Sequence, residues 1–121
     1  MTRARISRFL LASSALAALA GCHSYHIDVT VENRTGGAIR LLEVDYPTAS
    51  FGVGSLDSGA DYHYRFEVRG SGPVKAQYTA ANGQTVQITG PSLTEKQQGQ
   101  FEMILLPGAK AEFHPQLTPQ R

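Results

Sequence analysis

From Tyr25 onward the chain alternates between apolar and polar residues. Tyr25, Ile27, Val29 and Val31 are interleaved with His26, Asp28, Thr30 and Glu32. A period of two places each set on one face of a strand, with the apolar face toward a core. Asn33-Arg34-Thr35-Gly36-Gly37 supplies the turn residues that end it. The next run, Ile39 to Tyr46, changes phase: Ile39 and Leu41 share one face, then Leu42, Val44 and Tyr46 take the other. That slip predicts a β-bulge or a strand buried on both sides. Pro47 stops the run, because proline donates nothing to a ladder.

A short third strand is expected over Phe51 to Leu56, weakened by Gly52 and Gly54. After the turn at Asp57–Asp61, Tyr62, Tyr64, Phe66 and Val68 face one way, and His63, Arg65, Glu67 and Arg69 the other. Gly70-Ser71-Gly72-Pro73 reads as a loop. Val74, Ala76 and Tyr78 then alternate with polar residues, Asn82-Gly83 predicts a hairpin turn with both residues at positive φ, and Val86 and Ile88 return. Gly90 to Gly99 reads as a polar loop with at most one helical turn at Ser92 to Gln97. Phe101 to Leu106 reads as a buried central strand, and Ala109, Ala111 and Phe113 pair back after Pro107-Gly108. The segment 115–121 carries two prolines and no apolar pattern, which predicts a flexible tail.

Seven or eight strands with a turn about every 8 to 12 residues predict an all-β fold, an antiparallel β-sandwich of immunoglobulin/fibronectin-like kind. A small β-barrel is the alternative, since alternation does not distinguish closed sheets from paired ones. Leu56-Asp57-Ser58-Gly59-Ala60-Asp61-Tyr62 resembles the Leu-x-Pro-Gly-x-x-Tyr strand entry of fibronectin type III domains, whose tyrosine hydrogen-bonds back to the backbone. Ser58 replaces the proline, and four further strands follow where that family has about one. The motif is therefore read as a generic sandwich corner.

The first 21 residues have a different pattern. Arg3, Arg5 and Arg8 form a positive region, followed by an apolar stretch of twelve residues, Phe9 to Ala20, broken only by Ser13 and Ser14. Twelve residues fall short of the roughly 20 that a helix needs to span a bilayer. The layout is that of a secretory signal peptide. Leu19-Ala20-Gly21-Cys22 resembles the lipobox of bacterial lipoproteins at all four positions. In that family the cysteine sulfur receives a diacylglycerol, the signal is cut before it, and the new amino terminus is acylated. The resemblance implies that Cys22 is the lipidation site and the first mature residue. It also implies membrane association through Cys22; several acyl chains at about 0.8 kcal/mol per buried CH2 hold a protein stably. His23 stands where an Asp would resemble an inner-membrane retention signal, so the outer membrane, facing the periplasm, is expected. The expected organisation is a signal peptide over 1–21, a tether over 22–24, a sandwich over 25–114 and a tail over 115–121. As a whole the chain resembles the small bacterial lipoproteins that carry one β-sandwich.

Cleavage changes the composition that matters. The precursor has 11 basic and 10 acidic residues; losing three arginines leaves 8 against 10, a net charge of −2. No basic excess remains to favour nucleic acid. The single cysteine excludes an internal disulfide and a Cys-rich zinc site. Once lipidated, it is no nucleophile either.

No Gly-x-Ser-x-Gly elbow or P-loop occurs, and Gly52-Val53-Gly54 lacks the third glycine of a dinucleotide loop. The chain is therefore read as non-enzymatic, with no cofactor and no metal. His23, His26, His63 and His114 are read as solvated; His63 and His114 would make a weak zinc or copper site only on neighbouring strands. Tyr62, Tyr64 and Phe66, with Tyr46 and Tyr78, are read as core rather than as a stacking platform. The expected function is a lipid-anchored interaction or structural module of the cell envelope, partnered by another envelope protein. The alternative is a periplasmic small-ligand or weak metal-binding lipoprotein.

Overall fold

Alternating apolar residues become strands along nearly the whole of residues 25–119, the part described by the computed structural model. The expected signal peptide over 1–21 and tether over 22–24, with Cys22, lie outside the described residues. The strands are β1 (Ile27–Asn33), β2 (Ile39–Tyr46), β3 (Ala49–Leu56), β4 (Asp61–Phe66), β5 (Gly72–Thr79), β6 (Thr85–Leu93), β7 (Gln98–Leu106) and β8 (Lys110–Thr118). They form two four-stranded sheets, ordered β4-β1-β7-β8 and β3-β2-β5-β6. Neither sheet closes on itself, so the architecture is a β-sandwich and not a barrel. Ile27, Val29 and Val31 of β1 and Phe101, Met103 and Leu105 of β7 face Leu42, Val44, Val74, Ala76 and Tyr78 of the other sheet; all are buried. Each large apolar side chain withdrawn from water in this way contributes about 1.5 to 3 kcal/mol.

One pair departs from the antiparallel expectation: β1 runs parallel to β7, from Ile27 opposite Gly99 to Asn33 opposite Leu105. Five strands intervene in the chain, and alternation reports a residue's face, not its partner strand. The phase slip in β2 is a bulge. The register against β5 shifts between Arg40 and Glu43, and Leu41 takes φ 53° and turns out to solvent. Leu42 thereby regains the core face.

Several expected boundaries are corrected: β5 begins at Gly72, inside the expected loop over 70–73, and β7 begins at Gln98. β6 continues through Gly90 to Leu93, because the ring of Phe113 occupies the space a side chain at Gly90 would take. A turn at Thr94–Gln97 replaces the loop and helical turn, with buried Gln97 accepting from the Thr94 amide (2.9 Å) and donating to Pro119 O (3.0 Å). β8 runs through Pro115 to Thr118, so the segment expected to be a tail is strand up to there. Pro115 is tolerated because β8 is an edge strand, and Leu117 is buried. The Asn82-Gly83 hairpin forms with only Gly83 at positive φ (88°), which is a three-residue turn: Ala80 N donates to Gln84 O and Gly83 N to Ala80 O.

The corner at 56–62 is tied by Asn33 and not by the hydroxyl of Tyr62. Asn33 is fully buried at the end of β1. Its amide donates to Gly37 O, Leu56 O and Asp57 O at 2.9–3.1 Å, and its carbonyl accepts from the Thr35 amide and hydroxyl. One polar side chain thus joins two loops at the same end of the sandwich.

Candidate functional site

Alternation leaves the outer face of the β4-β1-β7-β8 sheet polar, and register sets its rows. His63 lies opposite Thr30, Thr30 opposite Glu102, and Glu102 opposite His114. The next row is Arg65, Asp28, Gln100 and Gln116. All of these residues except Arg65 line a groove of about 460 Å³. His63 Nδ1 lies 3.0 Å from Thr30 Oγ1, and His114 Nε2 lies 3.4 Å from Glu112 Oε2.

The two histidines expected to meet only on neighbouring strands stand at opposite edges of this sheet. Three strand spacings separate them, roughly 14 Å, far beyond a shared ion. His26 precedes β1, two residues before Asp28, and its carbonyl accepts from Gly99 N at 3.1 Å. His23 lies outside the described residues. Among the described residues no group of three or more His, Cys, Asp or Glu side chains is arranged to hold a metal ion.

The parallel pairing brings together two carboxyls that sequence reasoning did not connect. Glu32 of β1, opposite Ile104, and Glu102 of β7, opposite Thr30, are diagonal neighbours on the outer face, and Glu32 accepts from Arg34 Nη2 at 2.6 Å. A hydrogen bond between two carboxyls requires that one of them hold a proton. Its bond to Glu32 holds the Glu102 carboxyl above the ordinary carboxylate value, and burial adds to that. Glu32 is lowered, first by the bond from Glu102 and then by that from Arg34. The two carboxyls are shifted in opposite directions, as expected of neighbours that compete for one proton.

Of the five aromatic residues expected in the core, Phe66 and Tyr78 are buried, Tyr46 and Tyr62 are half-buried against it, and Tyr64 is exposed. Tyr78 is buried in the core, and Tyr46 stacks on Phe66 with centroids 4.0 Å apart. Tyr64 stacks on Phe51 at 4.3 Å but remains 37% exposed.

The four edge strands are unequally protected. Charges and proline discourage added pairing at an edge. β4 carries Asp61 and Arg65, β8 carries Lys110, Glu112 and Pro115, and Pro91 interrupts β6. β3, Ala49-Ser50-Phe51-Gly52-Val53-Gly54-Ser55-Leu56, has neither charge nor proline. Beside it, Leu41, Glu43, Gly52 and Gly54 line a shallow trough of about 390 Å³. The absence of charge in β3 was readable in the sequence; its position at an edge was not.

No protein-family model matches the chain, and no curated protein matches it. Among solved structures it is similar to a protein from Eubacterium rectale determined by NMR, with a TM-score of 0.56 and 14% identity. The likeness covers 84% of this chain and 97% of that one. At such low identity it speaks for the fold alone.

Proposed function

We propose that the protein is a lipid-anchored cell-envelope protein, held at the outer membrane and facing the periplasm, that acts as a non-enzymatic interaction or structural module. The observation that carries this reading is the distance between anchor and fold. Leu19-Ala20-Gly21-Cys22 matches the lipobox at every position, and Ile27 opens β1 only five residues after Cys22. A lipid on Cys22 therefore leads almost directly into a rigid strand. No helix among the described residues is long and apolar enough to cross a membrane. A sandwich with an unguarded edge and broad shallow grooves suits a polypeptide partner, which such sheets take by strand addition.

The test is mass spectrometry of the amino terminus of protein taken from the membrane fraction. The expected product begins at Cys22 and carries a diacylglyceryl group on sulfur and an acyl group on nitrogen. Cys22→Ser should leave the protein unlipidated and released from the membrane. A mature terminus elsewhere, or a free thiol on Cys22, would overturn the reading. Separation of the two membranes by density checks the outer-membrane assignment.

A further inference from the structure

Among the described residues, two large apolar side chains stay exposed, Leu41 at 69% and Tyr64 at 37%. Both flank β3. Leu41 is turned outward by the β2 bulge and lines the trough over Gly52 and Gly54. Tyr64, from the other sheet, stacks on Phe51 in the middle of β3. The strand between them presents unpaired backbone N–H and C=O groups along an edge with no charge and no proline.

The outer face beside this edge has an unmatched charge. Glu43 sits between Gly52 on β3 and Gln77 on β5 and makes no ion pair among the described residues. Asp45 has Lys75 opposite it in register, although the two form no ion pair, whereas no cation stands directly opposite Glu43. Gly52 has no side chain, so the path from the open edge to Glu43 crosses bare backbone. A strand added to β3 would lie two spacings from β2, roughly 10 Å. A lysine or arginine stem reaches across that gap, lying on apolar surface while its head stays in water.

We infer that β3 is the docking edge for an extended polypeptide segment of another protein that alternates apolar and basic residues. Its apolar side chains pack on Tyr64 and Phe51, and its basic side chains cross Gly52 to Glu43 with their stems against Leu41. Pairing of β3 with the β3 of a second copy fits less well, because β3 has no Lys or Arg to offer Glu43. The inference rests on the reading of the domain as an interaction module and names the surface and the partner's chemistry.

The experiment is an NMR titration of the 15N-labelled full chain in zwitterionic detergent micelles with an acetylated, amidated (Val-Lys)4 peptide. The expected result is shifts of β3 amides and slowed exchange of those facing the open edge. Methylating alternate peptide nitrogens, or replacing Lys by Glu, should abolish both effects. Glu43→Gln should weaken binding about two- to fivefold, the range of an exposed ion pair. Shifts centred away from β3, or equal binding of the methylated or the acidic peptide, would overturn the inference. So would β3 shifts that grow with protein concentration when no peptide is present, which indicate self-pairing. A photo-crosslinking residue placed in cells at Ser55, and separately at Gln116, separates this failure from failure of the module reading. Specific adducts from Gln116 alone discard the β3 edge and keep the module; none from either site counts against the module itself.

Discussion

The two flanks of the sandwich are closed by different means. Between β3 and β4, five rings meet: Phe51 lies 4.3 Å from Tyr64, 6.1 Å from Tyr62 and 6.3 Å from both Tyr46 and Phe66. Between β6 and β8, one ring from β8, Phe113, is seated on Gly90 and tilted against Phe101 at 6.1 Å. The first flank depends on a cluster in which each ring is held by several others. The second depends on a single fit between a ring and a missing side chain. The clustered flank is also the one whose edge is unguarded, so a partner strand would meet a surface already ordered.

The comparison breaks most easily at its centre. Phe51→Ala removes the ring shared by the whole cluster and should cost about 3 to 5 kcal/mol, a large fraction of the stability of a domain this size. Phe113→Ala, at a partly buried position, should cost roughly 2 kcal/mol. Urea unfolding of both variants measures the difference. Equal losses would mean that the two flanks are equivalent after all.

Gly90→Ala sharpens the contrast. A methyl group there would stand 2.7 Å from Phe113 Cε1 and 2.9 Å from Cζ, so the ring must move. The expected loss is about 1 to 2 kcal/mol, the usual cost of overpacking. In a double-mutant cycle with Phe113→Ala the methyl finds vacated space, and the combined loss should be clearly less than the sum. Additive losses would show that the glycine serves the backbone and not the ring.

Much of this is legible in the amino-acid sequence, and the rest is hidden for definite reasons. Alternation marked β1, β4 and β5, and the change of phase at Leu41-Leu42 marked the bulge, because both follow from which face a residue must take. Weak strand propensity at Gly52 and Gly90 argued against strand there, and pairing overrode it: Gly52 lies opposite Glu43, and Gly90 admits Phe113. The outward positions of His63 and His114 were readable, but not that β1 and β7 lie between their strands. The Glu32–Glu102 pair was out of reach for the same reason. It exists only because β1 and β7 run parallel in one register, and nothing local encodes that.

A smaller effect is expected at the bulge beside β3. Leu41 holds φ 53°, a conformation that costs an L-residue about 1 to 2 kcal/mol and glycine far less. Its side chain is largely in water, so Leu41→Gly should be neutral or stabilise by up to about 1 kcal/mol, offset in part by the greater freedom of glycine in the unfolded chain. The same variant should weaken binding of the (Val-Lys)4 peptide. A clear loss of stability instead would mean that Leu41 packs structurally and is not held out for a partner.

The smallest effect contrasts both flanks with the polar face. Apolar closure is indifferent to pH, so the losses in Phe51→Ala and Phe113→Ala should stay level between pH 4 and 8. The Glu32–Glu102 pair should not. Glu102 is raised above its ordinary value of 4.5 by its bond to Glu32. Its contribution is therefore complete below that value and lost as pH climbs through the raised one. Glu32 is lowered, so its contribution is present above the ordinary value and lost only as acid reaches the lowered one. At neutral pH the net consequence is two adjacent carboxylates, relieved in part by Arg34. Glu102→Gln keeps a donor toward Glu32 and removes the second charge. The variant should be modestly more stable than the parent at pH 7, and the gap should close as pH falls to 4, as read from denaturation midpoints across the range. A gap that is constant with pH, or that widens in acid, would show that the two carboxyls do not share a proton.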